Sequence, residues 1–143
     1  MSETIKALSR QWFEQVWNQR DDSAILRLAS PRIVTHGLTQ DLQPAHGIDQ
    51  FIRFRKSFLA AFPDLKIFIQ DILVDGDKSV VRLAFSGTHT GQGIGIAPTG
   101  RPVSSTAIIV IRWLDGKAIE AWNEFDAAGM MRQLHSHEAN LRT

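Results

Sequence analysis

Apolar residues near the start of the chain recur every three or four positions, which is the spacing of one face of an α-helix. They are Ile5, Leu8, Trp12, Phe13, Val16 and Trp17. This pattern predicts an amphipathic helix over residues 3–18 with a broad aromatic stripe. Because stripes of this kind usually pack against a domain interior, we expect the helix to cover the rest of the fold.

Three further helices are predicted from their boundaries. Asp22 can cap a short helix over residues 22–29, which Pro31 ends. A longer helix spans residues 47–63, between a glycine and a proline, and has an acidic residue in its first turn. A final short helix is predicted over residues 127–134.

Alternating apolar and polar positions predict five strands, at residues 32–38, 65–74, 79–90, 103–114 and 117–126. The turn sequences Asp75-Gly76-Asp77 and Asp115-Gly116 join the last four strands into two hairpins, because both tolerate positive φ. Since helices come first and long strands follow, the order predicts an α+β fold with helices on one face of a curved antiparallel sheet. We expect one domain over residues 1–134 and a flexible tail over residues 135–143.

The last predicted strand has an unusual face. Its side chains alternate, so Glu120, Trp122, Glu124 and Asp126 point to one side of the sheet. Carboxylates around an indole ring form either a solvated face or the wall of a cavity, and the rarity of buried carboxylates favours the solvated face. If that side is covered, burial raises the pKa of at least one carboxylate toward the range useful for proton transfer.

The second hairpin predicts which residues lie opposite one another, because a two-residue loop pairs Leu114 with Lys117. Counting outward, the pairs are Ile111 with Glu120, Ile109 with Trp122, Ala107 with Glu124, and Ser105 with Asp126. Apolar residues opposite the acidic ones favour a lined cavity over a wet surface. One β-bulge would exchange the two sides for every residue beyond it.

The opposite face of this hairpin is also apolar. It carries Ile108, Val110, Ile119, Ala121 and Phe125. A sheet that is apolar on both sides needs two covers, and one layer of helices supplies only one of them. We therefore expect a homodimer that forms through the outer face of the sheet.

Composition narrows the classes of partner and chemistry. The 143-residue chain has a formal net charge of +1, so it shows no electrostatic footprint for nucleic acid or an anionic membrane. It contains no cysteine, which excludes disulfides, thiolate zinc sites and cysteine nucleophiles. Since neither a signal peptide nor an apolar run of membrane length is found, we expect a cytoplasmic protein.

Several motifs follow one another in an order that points to a family. They are Trp17-Asn18, Thr35-His36-Gly37, Ala61-Phe62-Pro63-Asp64-Leu65, Gly87-Thr88-His89-Thr90-Gly91, Pro98-Thr99-Gly100, and the segment from Asp115 to Asp126 with Gly129 and Gln133-Leu134. Over almost its whole length the chain resembles the SnoaL-like polyketide cyclases, or ester cyclases, of the NTF2-like superfamily. The resemblance implies a cone-shaped, cystatin-like α+β barrel whose sheet wraps around the N-terminal helices and encloses a pocket.

The resemblance also implies a reaction. In the characterised cyclases a single Asp at the end of the last long strand is the acid/base group, and Asp126 stands at the matching place. We therefore expect Asp126 to catalyse an intramolecular aldol cyclisation of a hydrophobic or aromatic polyketide-like ester. No metal or cofactor is expected, because the carbonyl groups of such a substrate can delocalise the carbanion themselves.

Four aromatic residues are candidates for the substrate-binding wall of the pocket. Trp122, with Trp12, Phe13 and Trp17 if the first helix covers the cavity, would give a polycyclic ligand flat surfaces. Ordinary core packing is an equally good explanation for these rings.

Polar candidates accompany them. His36 is a candidate second catalytic residue and His89 a candidate substrate-binding residue, because an imidazole can polarise a carbonyl or orient a carboxylate. Glu120 is a candidate supporting group. The alternative for each histidine is a hydrogen-bonded side chain at the end of a strand.

Other sequence features exclude neighbouring chemistries. The Gly91–Gly95 segment lacks the spacing of a phosphate-binding turn and leads into no helix, so we expect a rim loop there. The sequence His135-Ser136-His137-Glu138 lies in the predicted tail without a third ligand, so we assign no metal site to it. The chain has no tyrosine, which argues against ketosteroid isomerases, scytalone dehydratases and limonene-epoxide hydrolases, since these share the implied fold and rely on tyrosine hydroxyls.

Two alternatives to an enzyme stay open on the sequence. One is a non-catalytic module of the same superfamily that binds a small apolar ligand. The other is a structural dimerisation domain whose cavity has collapsed. Fold alone does not decide among these functions.

Overall fold

The computed structural model describes residues 2–39, 41 and 43–141, with side chains as far as residue 135. The elements in chain order are α1 (Ser2–Gln11), a π-helix (Trp12–Asn18), α2 (Asp22–Leu28), β1 (Ala29–His36), β2 (Ala45–His46), α3 (Asp49–Ala61), β3 (Lys66–Asp75), β4 (Lys78–Thr88), β5 (Pro102–Leu114), β6 (Lys117–Phe125) and α4 (Ala127–Leu141). The predicted α+β class is therefore confirmed.

The six strands found among the described residues form a single curved sheet in the order β2-β1-β6-β5-β4-β3. Strands β3 to β6 are antiparallel neighbours, as predicted. Strand β1 runs parallel to β6, so the expectation of a purely antiparallel sheet is wrong. A parallel pair needs a long connection, and the whole of β2, α3 and β3 to β5 separates these two strands. The sheet does not close into a complete barrel, because β2 and β3 are its edges.

Both predicted hairpins are present. Strand β3 turns into β4 at Gly76, where φ is +62°, and β5 turns into β6 at Asp115 and Gly116, where φ is +52° and +79°. Positive φ at both central residues is the geometry of a type I′ turn, which asparagine, aspartate and glycine adopt at the lowest cost. The Leu114–Lys117 pair lies next to this turn, as expected.

Some boundaries differ from the prediction for local reasons. Asp21, rather than Asp22, caps α2, because its carboxylate accepts the backbone N–H of Ser23 at 3.0 Å. Strand β1 begins directly after α2, and the two-residue strand β2 was not predicted. Helix α4 runs to Leu141 instead of ending at residue 134, and residues 142 and 143 lie outside the described part, so the flexible tail stays a prediction.

A buried polar cluster fixes α1 across the inner face of the sheet. The Ser9 hydroxyl lies 2.8 Å from both the Ile5 carbonyl oxygen and the Ser79 hydroxyl. The indole N–H of Trp113 donates to the same Ser79 hydroxyl at 3.1 Å. Because all of these groups are removed from water, each bond satisfies a group whose burial would otherwise be costly. The cluster therefore joins α1 to β4 and β5.

Candidate active site

A β-bulge at Ile119 determines which side chains of β6 point inward. Next to the turn Trp113 lies opposite Ala118, but the next residue along β5, Arg112, lies opposite Glu120. Ile119 is the extra residue on β6, and beyond it every side chain faces the side opposite to the one expected. The predicted register of this hairpin is therefore wrong after its first two pairs.

The inward face of β6 consists of Ala121, Asn123 and Phe125. These residues lie opposite the buried Ile111, Ile109 and Ala107 of β5. Glu120, Trp122 and Glu124 extend from the other side of the strand. The acidic, tryptophan-bearing face that we expected inside the fold is on the outside.

The inner face of the sheet and the helices enclose a cavity of about 80 Å³. Its wall is almost entirely apolar, and its aromatic members are Trp12, Phe13, Trp17, Phe51, Phe54, Phe58, Phe85 and Phe125. Phe58 is central to the wall, with ring centroids of Phe54, Phe85 and Phe125 between 5.7 and 6.3 Å away. The structure thus places Trp12, Phe13 and Trp17 in the cavity wall.

The π-helix explains how Trp12 and Trp17 share one side of the helix. Residues five apart in an α-helix point about 140° away from each other, from 3.6 residues per turn. A π-helix closes each turn with a bond between residues five apart, which brings these two rings to the same side. Both then contact Phe51 of α3, at centroid distances of 5.0 and 5.9 Å. Sequence periodicity found the residues but not the helix type.

Side chains hold the end of this π-helix in place. Arg55, buried on α3, donates its Nε–H to the Val16 carbonyl oxygen at 2.9 Å. Arg20 donates to the carbonyl oxygens of Trp17 and Asn18 at 2.7 and 3.1 Å. The Asn18 side chain exchanges hydrogen bonds of 2.9 and 2.8 Å with the backbone of Ile67 on the edge strand β3. The bonds from Arg55 and Arg20 satisfy carbonyl groups that a helix end leaves unpaired, and those of Asn18 satisfy the backbone of an edge strand.

A wider hollow of about 460 Å³ adjoins the cavity and forms its mouth. Both spaces are bordered by Leu38, Phe54, Phe58, Asn123, Glu124 and Phe125. The mouth is completed by the loop after β1, by Gly93 and Ile94 of the rim loop that the sequence predicted, and by the start of α4. The hollow is large enough for a small ring system, whereas the deep cavity has room only for a short apolar group.

Asn123 is the polar residue that the inward face of β6 contributes to this site. Its Nδ2 donates to the backbone carbonyl oxygen of His36 at 3.0 Å. The sequence prediction missed Asn123 because the expected register placed it on the outer face. The sequence did contain a signal for its inward position, because Ala121 and Phe125 share its face of the strand and are apolar, as residues of an inward face usually are.

His36, Glu120 and Trp122 lie together on the outer face of the sheet. The His36 ring stacks on the Trp122 indole, with centroids 5.3 Å apart and planes 6° apart, and its Nε2 lies 2.8 Å from Glu120 Oε2. Arg112 approaches the other oxygen of Glu120 at 3.5 Å. None of these four residues lines the cavity or its mouth, so the expectation that His36, Glu120 and Trp122 belong to the pocket is wrong. The bulge at Ile119 turns Glu120 and Trp122 outward, whereas His36 follows the alternation of its own strand, in which the buried Ile33 and Thr35 face inward.

His89 is fully buried beneath the rim loop and does not line the cavity either, contrary to the prediction. Its Nδ1 accepts the backbone N–H of Thr99 at 3.2 Å, so the neutral ring carries its proton on Nε2. This Nε2 has no hydrogen-bond partner among the described residues. Burial lowers the pKa of His89 because it disfavours the charged imidazolium. The backbone of His89 also pairs with Gly100 and Arg101, which closes the base of the loop.

Asp126 is exposed at the rim of the mouth, between the mouth residues Phe125 and Ala127. Its Oδ1 accepts the Gly129 N–H at 2.8 Å, so the side chain caps α4. A Cβ at position 129 would lie only 2.2 Å from Asp126 Oδ2, which explains the glycine there. The expected burial beside an indole ring is therefore absent. Oδ2 itself has no partner among the described residues.

Two further findings concern the described part of the chain as a whole. Within it, no three histidine, cysteine or acidic side chains come together in a way that could hold a metal ion. None of its helices combines the length and hydropathy that a bilayer crossing requires.

Known structures define the class of this fold. A SnoaL-like protein from Jannaschia sp. CCS1 superimposes with a TM-score of 0.84 at 22% identity, covering 92% of each chain. An NTF2-like protein from Burkholderia pseudomallei superimposes with a TM-score of 0.74 at 20% identity, covering 92% of this chain and 97% of its own. At these identities the likeness concerns the fold alone, and it confirms an NTF2-like α+β domain.

The chain belongs to the SnoaL-like polyketide cyclase family, whose model matches residues 7–134. Two similar solved structures come from Streptomyces. AclR from Streptomyces galilaeus, a proposed hydroxylase, is 29% identical with a TM-score of 0.81, covering 94% of this chain and 85% of its own. IdmH from Streptomyces antibioticus, a proposed polyketide cyclase, is 29% identical with a TM-score of 0.74, covering 93% of this chain and 96% of its own. A comparison with curated proteins gave no match.

Proposed function

We propose that this protein is a cyclase-type enzyme that binds a hydrophobic carbonyl compound in the aromatic cavity and its mouth. The observation that carries the proposal is an apolar, ring-lined cavity with a wide opening, in a chain of the SnoaL-like family. Aromatic walls suit flat, partly unsaturated ligands, and a dry surrounding strengthens any polar contact made inside it.

The proposed reaction is an intramolecular aldol closure without a cofactor. A base removes a proton from a carbon between two carbonyl groups, and the resulting carbanion attacks a third carbonyl carbon of the same molecule. A carbon–carbon bond forms, the attacked C=O becomes an alkoxide, and the alkoxide takes up the proton. One carboxyl group can serve both steps in turn. The protein contributes mainly by holding the substrate in a folded, reactive shape.

Asp126 is the proposed acid/base group. The family resemblance matches it to the catalytic Asp of the characterised cyclases, and it lies at the rim between two residues of the mouth. Its Oδ1 is held by the helix N-terminus, and its Oδ2 is free to accept a proton from a substrate seated in the mouth.

The test uses an aromatic ester whose side chain carries a 1,3-diketone and a ketone placed for six-membered ring closure. The cyclised isomer has the same mass and is followed by chromatography and proton NMR. Asp126→Asn and Asp126→Ser both keep a capping side chain for α4 but lose the carboxylate, so the fold should be retained. We expect turnover to fall by a factor of about 10² to 10⁴, with binding of the ester little changed.

Glu124→Gln is the matched control, because it removes a neighbouring carboxylate whose residue borders the mouth but whose side chain extends from the outer side of β6. Its turnover should stay close to that of the wild type. If the Asp126 variants cyclise the ester as fast as the wild type, Asp126 is not the acid/base group.

A second candidate function is a non-catalytic binding module. The observation that favours it is the exposure of Asp126, together with the absence of any ionisable lining residue other than Glu124 among the described residues of the cavity and mouth. A wild-type protein that binds the ester and never cyclises it would establish this alternative.

We further propose that two copies of the chain associate through the outer face of the sheet. Phe68, Leu73 and Ile108 lie on this face and are 47%, 60% and 46% exposed. Trp122 and the aliphatic side chains of the central strands continue the apolar area between them. A second sheet packed on this surface would remove these side chains from water.

A further inference from the structure

Asn123 lies at the point where the deep cavity meets the mouth. It borders both spaces, and it lies directly opposite Ile109 on the inward face of the sheet. Among the described residues, the one other polar residue that borders both spaces is Glu124, whose position in β6 directs its side chain to the outer face. Asn123 is therefore the polar side chain that a ligand meets at the junction.

The hydrogen bond to His36 determines the orientation of the Asn123 amide. A backbone carbonyl oxygen only accepts hydrogen bonds, so the atom 3.0 Å from it is the Nδ2 of Asn123. The amide oxygen Oδ1 lies on the other side of Cγ and has no hydrogen-bond partner among the described residues. It is not among the fully buried polar atoms without a partner, so it remains accessible.

The backbone around this amide is held from two sides. The backbone of His36 provides the accepting carbonyl oxygen. The side-chain ring of the same residue is fixed by its stack on Trp122 and by Glu120. Gly37 has φ of +84°, and a Cβ there would lie 2.1 Å from the Asn123 carbonyl oxygen, so the turn after β1 packs directly on β6. Because its supports are rigid, the free amide oxygen is an acceptor in a defined position.

The sizes of the two spaces constrain the shape of the ligand. The deep cavity of about 80 Å³ has room for a short alkyl group, whereas a ring system requires the mouth of about 460 Å³. A ligand that fills both spaces passes Asn123 where its ring joins its alkyl group.

We propose that Asn123 selects ligands that carry a hydroxyl or enol O–H next to a short alkyl substituent. The alkyl group enters the deep cavity, the ring occupies the mouth, and the O–H donates to Asn123 Oδ1. This inference rests on the proposed role of the cavity as the ligand site, and it names the substrate class more closely as an enolic or phenolic ring compound. It does not depend on Asp126 or on turnover.

The test compares 2-propylphenol with its methyl ether, 2-propylanisole, by isothermal titration calorimetry and by the fluorescence of the tryptophans in the cavity wall. The two probes share the ring and the propyl group, and only the phenol can donate a hydrogen bond. In the wild type we expect the phenol to bind about two- to tenfold more tightly than the ether, the range for one net hydrogen bond. In Asn123→Leu this preference should fall to about onefold, while the ether binds as well as before or better.

Asn123→Asp is the second variant, because it keeps an acceptor oxygen at the junction although it loses the donor to His36, and it should keep a preference for the phenol. If the leucine variant fails to fold, the wild type and the aspartate variant still decide the question. Equal affinity of the wild type for both probes, or a leucine variant that keeps the full preference, would overturn the inference. If neither probe binds the wild type, the cavity is not the ligand site and the proposed function fails as well. A clear phenol preference in a protein that shows no cyclisation would overturn only the proposed reaction.

Discussion

Replacing Ser79 with alanine is expected to leave the buried indole N–H of Trp113 without an acceptor. Trp113 is 4% exposed and Ser79 is fully buried, so water cannot take the place of the lost hydroxyl. Ser9 retains an acceptor in the Ile5 carbonyl oxygen, so the cost comes mainly from the indole. One orphaned buried donor lowers the free energy of unfolding by about 1 to 3 kcal/mol.

This loss of stability translates into a measurable change in melting temperature. At about 2.1 cal/mol/K per residue, a chain of this length has an unfolding entropy of about 0.3 kcal/mol/K. The melting temperature of Ser79→Ala should therefore be about 3 to 10 °C lower than that of the wild type. Calorimetry and urea denaturation both measure the effect. Since Ser79 does not line the cavity, ligand affinity at a temperature where both proteins are folded should not change.

Ser86→Ala is the matched control for this experiment. Ser86 lies on the same strand but on the outer face, and its hydroxyl makes no hydrogen bond among the described residues. Its replacement should change the free energy of unfolding by no more than about 0.5 kcal/mol. If Ser79→Ala is as stable as Ser86→Ala, the cluster of Ser9, Ser79 and Trp113 does not hold α1 to the sheet.

Two other predictions concern protonation and assembly. Because burial lowers the pKa of His89 in the fold, stability should be complete above the ordinary histidine value of about 6.5 and should fall as the pH drops below it. Urea denaturation between pH 8 and pH 5 measures this loss, which should be smaller in His89→Gln. Ile108→Glu should convert a dimer into a monomer in sedimentation velocity, because it places a charge in the proposed apolar interface.

Each of these two experiments has its own contradicting outcome. An acid-induced loss of stability in His89→Gln equal to that of the wild type would show that other groups cause it. For assembly, Leu26→Glu is the control, because Leu26 is 53% exposed on α2 rather than on the outer face of the sheet, and its replacement should leave the dimer intact. A wild type that sediments as a monomer, or an Ile108→Glu variant that remains dimeric, would contradict the outer-face interface.

Local signals made most of the fold predictable from the sequence. The hairpin at Asp115-Gly116 was predictable because only a few residue types adopt positive φ cheaply, and that preference acts over two residues. The helical spacing of Trp12 and Val16 located the first helix. The π-helical part was not predictable, because the bonds that support it come from Arg55 and Ile67, which are distant in sequence.

The site was less predictable, because it depends on which face of the sheet each side chain of β6 takes. Trp12 and Trp17 were found, because helical spacing places them without reference to the register of any strand. Glu120 and Trp122 were misplaced, because a single extra residue in β6 reverses every later side chain. Ile119 carries no glycine or proline signal that would have revealed the bulge. The contact between His36 and Trp122 was not predictable either, because it depends on the pairing of β1 with β6, which are distant in sequence.

The bulge at Ile119 determines which of two chemically different faces β6 turns toward the interior. If every residue of β6 paired regularly, Ile119 would lie opposite Arg112, and Glu120, Trp122 and Glu124 would turn into the interior while Asn123 and Phe125 turned out. The same scaffold could thus exchange an apolar, nearly uncharged chamber for an acidic one without altering any helix. Gain or loss of this bulge therefore offers related chains a short evolutionary route between binding and proton-transfer chemistry.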